Sequence, residues 1–185
     1  MYLDIYKPPT SEFRTGRPEG IIVTHSIDLF FKGEVDSKIE MDTYKMSFDK
    51  FSKYSYARLK LLRFPSHYFI EQINEAIVPI VGTGLHLTSE YLKKYISPSG
   101  LLDGFIFIVI AGDYSRDIPM KETYIRVGNV ISSILYTYKM SGKGSNVFTL
   151  EEAIELFDLK NDIDKRVNLV KMKSFKKSEL NMYIR

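Results

Sequence analysis

Apolar and polar positions alternate from residue 21 onward, with Ile21, Val23, Ile27, Leu29 and Phe31 on one parity and Thr24, Ser26 and Asp28 on the other. That period of two predicts a half-buried β-strand and puts His25 on its inward side. Residues 33–37 carry turn chemistry, and residues 38–48 and 54–64 read as a second and a third strand. The short links imply an antiparallel meander. Near Thr43 the alternation slips by one, the mark of a bulge, and a helix is the alternative between Val35 and Lys53.

The pattern changes after Pro65 and Ser66, where Phe69, Ile70, Ile73, Ala76 and Ile77 recur at helical spacing until Pro79. A helix is predicted there. The Val-Gly-Thr-Gly run at 81–84 breaks the chain, and Thr88 or Ser89 caps a short helix through Ile96 that ends at Ser-Pro-Ser-Gly, 97–100. Between Gly104 and Gly112 a run rich in Phe, Ile and Val predicts a strand buried on both faces and central in its sheet. Met120, Tyr124, Val127, Ile131, Ile134, Leu135 and Tyr138 then follow helical period, with Pro119 in the first turn and Gly142 past the end. The Val, Ile and Tyr enrichment of 118–138 leaves a long strand as the alternative. Thr149 and Glu152 form a capping box ahead of a short amphipathic helix.

Both ends read as arms. Residues 1–20 hold Pro8, Pro9, Gly16, Pro18 and Gly20 with no sustained period. Residues 165–185 mix Lys165, Arg166, Lys171, Lys173, Lys176 and Lys177 with Val167, Leu169, Met172 and Phe175, as in a lysine-guarded edge strand followed by an arm. The elements sum to a single α+β domain with an antiparallel sheet, helices packed on one face, and extended N- and C-terminal arms. Its divisions are 1–20, 21–164 and 165–185.

Composition narrows the class without naming a function. The 185 residues, 44% hydrophobic and 26% charged, suit one core and argue against wholesale disorder. A net charge of +3 permits an anionic partner without demanding one. With no cysteine, disulfides, thiolate metal sites and cysteine nucleophiles are excluded, and an intracellular or particle-borne setting is expected. The first ten residues lack the apolar core of a signal peptide, and the apolar run 105–111, bracketed by Asp103 and Asp113, is far too short to span a bilayer. Lysine outnumbers arginine, Ile and Tyr are plentiful and Trp is absent, a bias that A/T-rich bacterial or viral codons produce.

Candidate chemistry is sparse. Asp113 follows a buried strand, where carboxylates can hold Mg²⁺, yet no spacing ties it to Asp36, Glu40 or Glu71. Local chemistry makes Asp103 and Asp113 turn residues and Asp117 a helix cap. His25, His67 and His86 contain no pair at helical metal spacing, there is no G-x-S-x-G, and Lys143-Gly144 fails the phosphate-loop pattern. No catalytic residue, cofactor or metal is expected. Tyr54, Tyr56, Arg58 and Lys60 share one face of the third predicted strand, suited to stacking bases or to meeting a neighbouring protein.

The leading expectation is a non-catalytic structural subunit of a larger, homo-oligomeric assembly, in concrete form a virus or phage neck, connector or tail ring component. A nucleic-acid-binding accessory protein is the alternative, and a metal-dependent hydrolase using Asp113 the third reading. Assembly contacts are expected at Pro8, Pro9, Phe13, Lys171, Lys173, Phe175, Met182 and Tyr183, because the arms look too poor in apolar side chains to anchor on their own domain. On that reading, deleting residues 1–18 or 168–185 leaves a folded monomer with impaired assembly.

Overall fold

The computed structural model describes residues 14–26, 66–70, 77–79, 83–84, 96–142, 144–167 and 169–185. Five strands, β1 (Ile21–His25), β2 (Tyr68–Ile70), β3 (Ile77–Pro79), β4 (Ile106–Ile110) and β5 (Val147–Thr149), form one sheet in the order β3-β2-β4-β1-β5. β1 and β4 pair in parallel from Ile21 opposite Ile106 to His25 opposite Ile110. β5 lies parallel to β1 and β2 parallel to β4, while β3 pairs antiparallel with β2 at the edge. The expected antiparallel sheet is therefore corrected: its four contiguous strands β2, β4, β1 and β5 are parallel, and the fold is α/β. The strands expected over 38–48 and 54–64 lie outside the described residues.

Burial explains the parallel arrangement. A sheet covered on both faces needs strands that are apolar at every position. All five residues of β1 and all five of β4 are buried. The alternation read from residue 21 misleads because Thr24, His25 and Ser26 are as buried as Ile21, Ile22 and Val23. The polar residues mark the carboxyl end of the strand, not a wet face.

The helix expected over 69–77 is also corrected, since Tyr68–Ile70 and Ile77–Pro79 are strands. Short runs of aromatic and β-branched residues fit either period. Pairing with β4 decides the matter, setting Tyr68 opposite Ile108 and Ile70 opposite Ile110. The long helix is present as α1 (Lys121–Thr137), not a strand, and buries Tyr124, Val127, Val130, Ile131, Ile134 and Leu135. Its N-cap is Met120, without a side-chain cap, so Asp117 does not cap it. α2 (Leu150–Leu156) starts at Thr149 with both hydrogen bonds of the capping box in place.

α1 shares one core with Ile21, Val23, Ile106, Ile108, Ile110 and Val147. Ile22, Phe107 and Val109, on the other parity, are equally buried. Beyond them Phe105 meets Phe148 and Phe157 edge-on, at 6.2 and 5.5 Å between ring centres. The sheet is thus covered on both faces, against the expectation of helices on one.

The C-terminal segment departs furthest from expectation. Residues 169–185 contain no edge strand; they carry α3 (Lys177–Asn181) and send Met172, Phe175, Leu180 and Ile184 into the core beside α1. Each of these four is no more than 6% exposed. Arg185 N–H donates to Ser132 Oγ at 2.9 Å. Tyr183 lies against Gly128 of α1, where a Cβ would come within 2.6 Å of the tyrosine Cβ and 2.8 Å of its carbonyl oxygen. At the other end, the Arg14 guanidinium donates to the carbonyls of Thr83, Gly104 and Phe105. Glu19 N–H donates to Gly104 O, and Ile106 N–H to Gly20 O. Among the described residues, no helix is long and apolar enough to cross a membrane.

Gly128→Ala tests the docking of this tail. In an exposed helix the change stabilises by about 1 kcal/mol. Here it should destabilise by about 1–3 kcal/mol through the clash with Tyr183, read as a lower urea midpoint.

Candidate functional site at the strand ends

α/β sheets bind ligands beyond the carboxyl ends of their strands, where neighbouring strands send the chain in opposite directions. In this sheet that point is between β1 and β4. The chain leaves β1 for β2, on the far side of β4, and leaves β4 through α1 for β5, on the far side of β1. His25, Ser26, Asp113 and Tyr114 meet there, all 2% exposed or less.

The polar atoms of this cluster are engaged with one another and with the tail. His25 Nδ1 accepts the Tyr114 backbone N–H at 3.0 Å, and its Nε2 stands 2.7 Å from the Val170 carbonyl. Those partners place the ring proton on Nε2. Burial pushes the imidazole below its ordinary range, against the opposing pull of the Val170 carbonyl and the Glu151 and Asp113 carboxylates. Ser26 Oγ accepts the Gly112 N–H at 2.9 Å and donates to the Gly112 carbonyl at 3.4 Å. Gly112 turns the chain out of β4 at a φ of 138°, a conformation open to glycine.

Asp113 accepts from the Ser115 N–H at 3.1 Å, from the Ser115 hydroxyl, and from Arg116 Nε at 3.0 Å. Burial alone would raise its carboxyl pKa. The Ser115 and Arg116 hydrogen bonds and the attraction of His25 outweigh that and hold it below the usual carboxylate range. Tyr114 stacks on His25 at 6.3 Å and 19°, and its carbonyl accepts the Ser174 N–H at 2.9 Å. Tyr124 Oη, from α1, donates to the Ser174 carbonyl at 3.4 Å and accepts the Lys176 N–H at 2.9 Å. The cluster is a joint between β1, the exit of β4 and the tail.

No family model matches the chain, and no curated protein or solved structure shows significant similarity to it. Function therefore has to be read from these residues. Nucleophilic catalysis needs a base with a nitrogen open to the nucleophile. His25 commits one nitrogen to Tyr114 and the other to Val170, and the Ser26 hydroxyl is bonded to Gly112.

His67 repeats the pattern at the opposite end of β4, its Nδ1 accepting the Phe107 N–H at 2.9 Å. The two imidazoles extend the hydrogen-bond ladder of one strand and do not converge; His86 lies outside the described residues. A hollow of about 440 Å³ lies between α2 and the tail and is lined by Glu151, Glu152, Glu155, Lys171 and Lys177. Two of its three acids are partnered: Glu152 with Lys177 Nζ at 3.1 Å and Glu151 with the Met172 N–H at 3.2 Å. Among the described residues, no three His, Cys, Asp or Glu side chains are placed to hold a metal ion.

Of the contact residues expected from sequence, Tyr54, Tyr56, Arg58, Lys60, Pro8, Pro9 and Phe13 lie outside the described residues. Lys171, Lys173 and Met182 are exposed, Tyr183 is half-buried over Gly128, and Phe175 is a core residue. The virus or phage particle assignment is corrected: its premise was that both ends are too poor in apolar side chains to anchor on their own domain, and residues 169–185 are anchored in the core of a parallel α/β fold. Sequence reasoning missed Tyr114, Tyr124, Val170 and Ser174, whose roles depend on contacts between distant parts of the chain.

Both ionisable members of the joint make stability fall with acid. Because the folded-state pKa of His25 is depressed, the unfolded chain binds more protons once pH drops below about 6.5, and stability declines from there downward. The contribution of Asp113 is present above its unfolded pKa of about 4 and is lost as pH falls through its lower folded value. Urea midpoints measured against pH should therefore decline below neutrality. Asp113→Ala should cost about 2 kcal/mol at neutral pH, by leaving the Ser115 N–H without its acceptor.

Proposed function

We propose that this chain is a non-catalytic subunit of a homo-oligomeric assembly and holds its neighbours through the helical side of the domain. One observation carries the reading: at the point where α/β sheets present reactive groups to a ligand, His25, Ser26 and Asp113 are spent on closing the fold. Large apolar side chains stand in water elsewhere. Tyr136 on the last turn of α1 is 87% exposed, Ile118 just before α1 is 83%, and Met182 after α3 is 69%. Tyr and Met are residue types enriched at protein interfaces.

This reading keeps the subunit role expected from sequence and moves its contacts away from the buried part of the tail. Sedimentation velocity of the purified chain, with and without nuclease, tests it. The expected result is a nuclease-resistant species heavier than the 21.5 kDa monomer, which the double variant Tyr136→Ser, Met182→Ser shifts toward monomer. A 21.5 kDa species at every concentration overturns the proposal. A complex that collapses on nuclease treatment overturns it in favour of a nucleic-acid-binding accessory protein.

A further inference from the structure

We infer that His25 and the segment 170–175 form an acid-released clasp, in which protonation of one buried imidazole parts the tail from the strand ends. The device is independent of oligomeric state. It rests on how two anchor points of the tail are wired to the two sides of a single hydrogen bond.

Val170 is held by the imidazole, its carbonyl 2.7 Å from Nε2. Ser174 is held by the Tyr114 peptide, its N–H donating to the Tyr114 carbonyl at 2.9 Å. Between them runs the bond from the Tyr114 N–H to Nδ1, at 3.0 Å. A neutral ring with its proton on Nε2 accepts that N–H. A protonated ring carries hydrogens on both nitrogens, so two donors then face each other across the same gap.

The ring is fully buried and stacked on Tyr114, so water does not relieve the conflict. The imidazole and the Tyr114 peptide must separate, and they hold the tail four residues apart. The protonated ring keeps its Nε2–H on the Val170 carbonyl, so the Ser174 contact to Tyr114 is the one lost, and Met172 and Phe175 are drawn out of the core with it. Leu180, Ile184 and the Arg185 bond to Ser132 keep α3 on α1. The change is a local opening.

The charges around the ring set its threshold. Among the described residues, Asp113 faces it from the β4 exit and Glu151 from α2, both favouring the protonated form. Asp113 is itself paired with Arg116, and Glu151 accepts the Met172 N–H of the tail. Lys171 follows Val170 on the tail, and the residues flanking His25, Thr24 and Ser26, are uncharged. Burial opposes protonation and outweighs the carboxylates. The clasp therefore stays shut at neutral pH and opens below the ordinary imidazole range.

Amide hydrogen exchange on the full chain, corrected for intrinsic rates, tests this at about pH 7.5 and about pH 5. On acidification the Met172, Ser174 and Lys176 amides should lose about tenfold or more of their protection while Ile108 and Val109 keep theirs. His25→Gln, whose amide can accept from Tyr114 and donate to Val170 without titrating, should abolish the difference. The inference is overturned if tail protection does not change with pH, if β4 opens together with the tail, or if His25→Gln loosens with acid as the wild type does. Should that variant fail to fold, the wild-type ring titration followed by NMR decides: its midpoint must coincide with that of the tail amides, and separate midpoints overturn the clasp.

Discussion

The constraint on which the structure depends is the exit of β4. Inside the sheet this strand is paired on both sides, by β1 and β2, and every one of its side chains is buried. Where it leaves, its peptide groups have neither a ladder nor water, and an unmade buried hydrogen bond costs about 1–3 kcal/mol. Three outside groups answer that need: Ser26 takes the Gly112 N–H, His25 takes the Tyr114 N–H, and Ser174 donates to the Tyr114 carbonyl. The polar residues that end β1 and the turn-and-helix tail beyond residue 169 both follow from this requirement.

The tail is therefore a structural layer of the domain. Its lysines face solvent, Lys171, Lys173 and Lys176 among them, while Met172, Phe175, Leu180 and Ile184 complete the core over α1. The irregular intervals between those four residues match neither a helix nor a strand, and so they resemble the sparse apolar content of an arm. The anchoring is visible only when α1 is placed beside them, with Gly128 leaving room for Tyr183 and Ser132 receiving the Arg185 amide.

What could be read from the chain was local. The Phe-Ile-Val run of β4, the long period of α1 and the capping box at Thr149 each carry their evidence within a few residues, and each is present. Strand direction is not local. Ile-Ile-Val-Thr-His fits a half-buried antiparallel strand as well as a fully buried parallel one until β4 and β5 are seen on either side of it. The same holds for Phe69, Ile70 and Ile77, which satisfy helical spacing and yet belong to two paired strands. Asp113 reads as turn chemistry from sequence, and it does turn the chain through Ser115; its burial and its bond to Arg116 come from the packing around it.

If the tail closes the strand ends, the domain cannot be stable without it, and thermal unfolding of the chain shortened to residues 1–168 tests this most directly. The account predicts that removing Met172, Phe175, Leu180 and Ile184, with the Val170 and Ser174 bonds, abolishes the cooperative transition or lowers Tm by well over ten degrees, since each lost core side chain is worth about 2–5 kcal/mol. A shortened chain that melts cooperatively at the full-length Tm would contradict it.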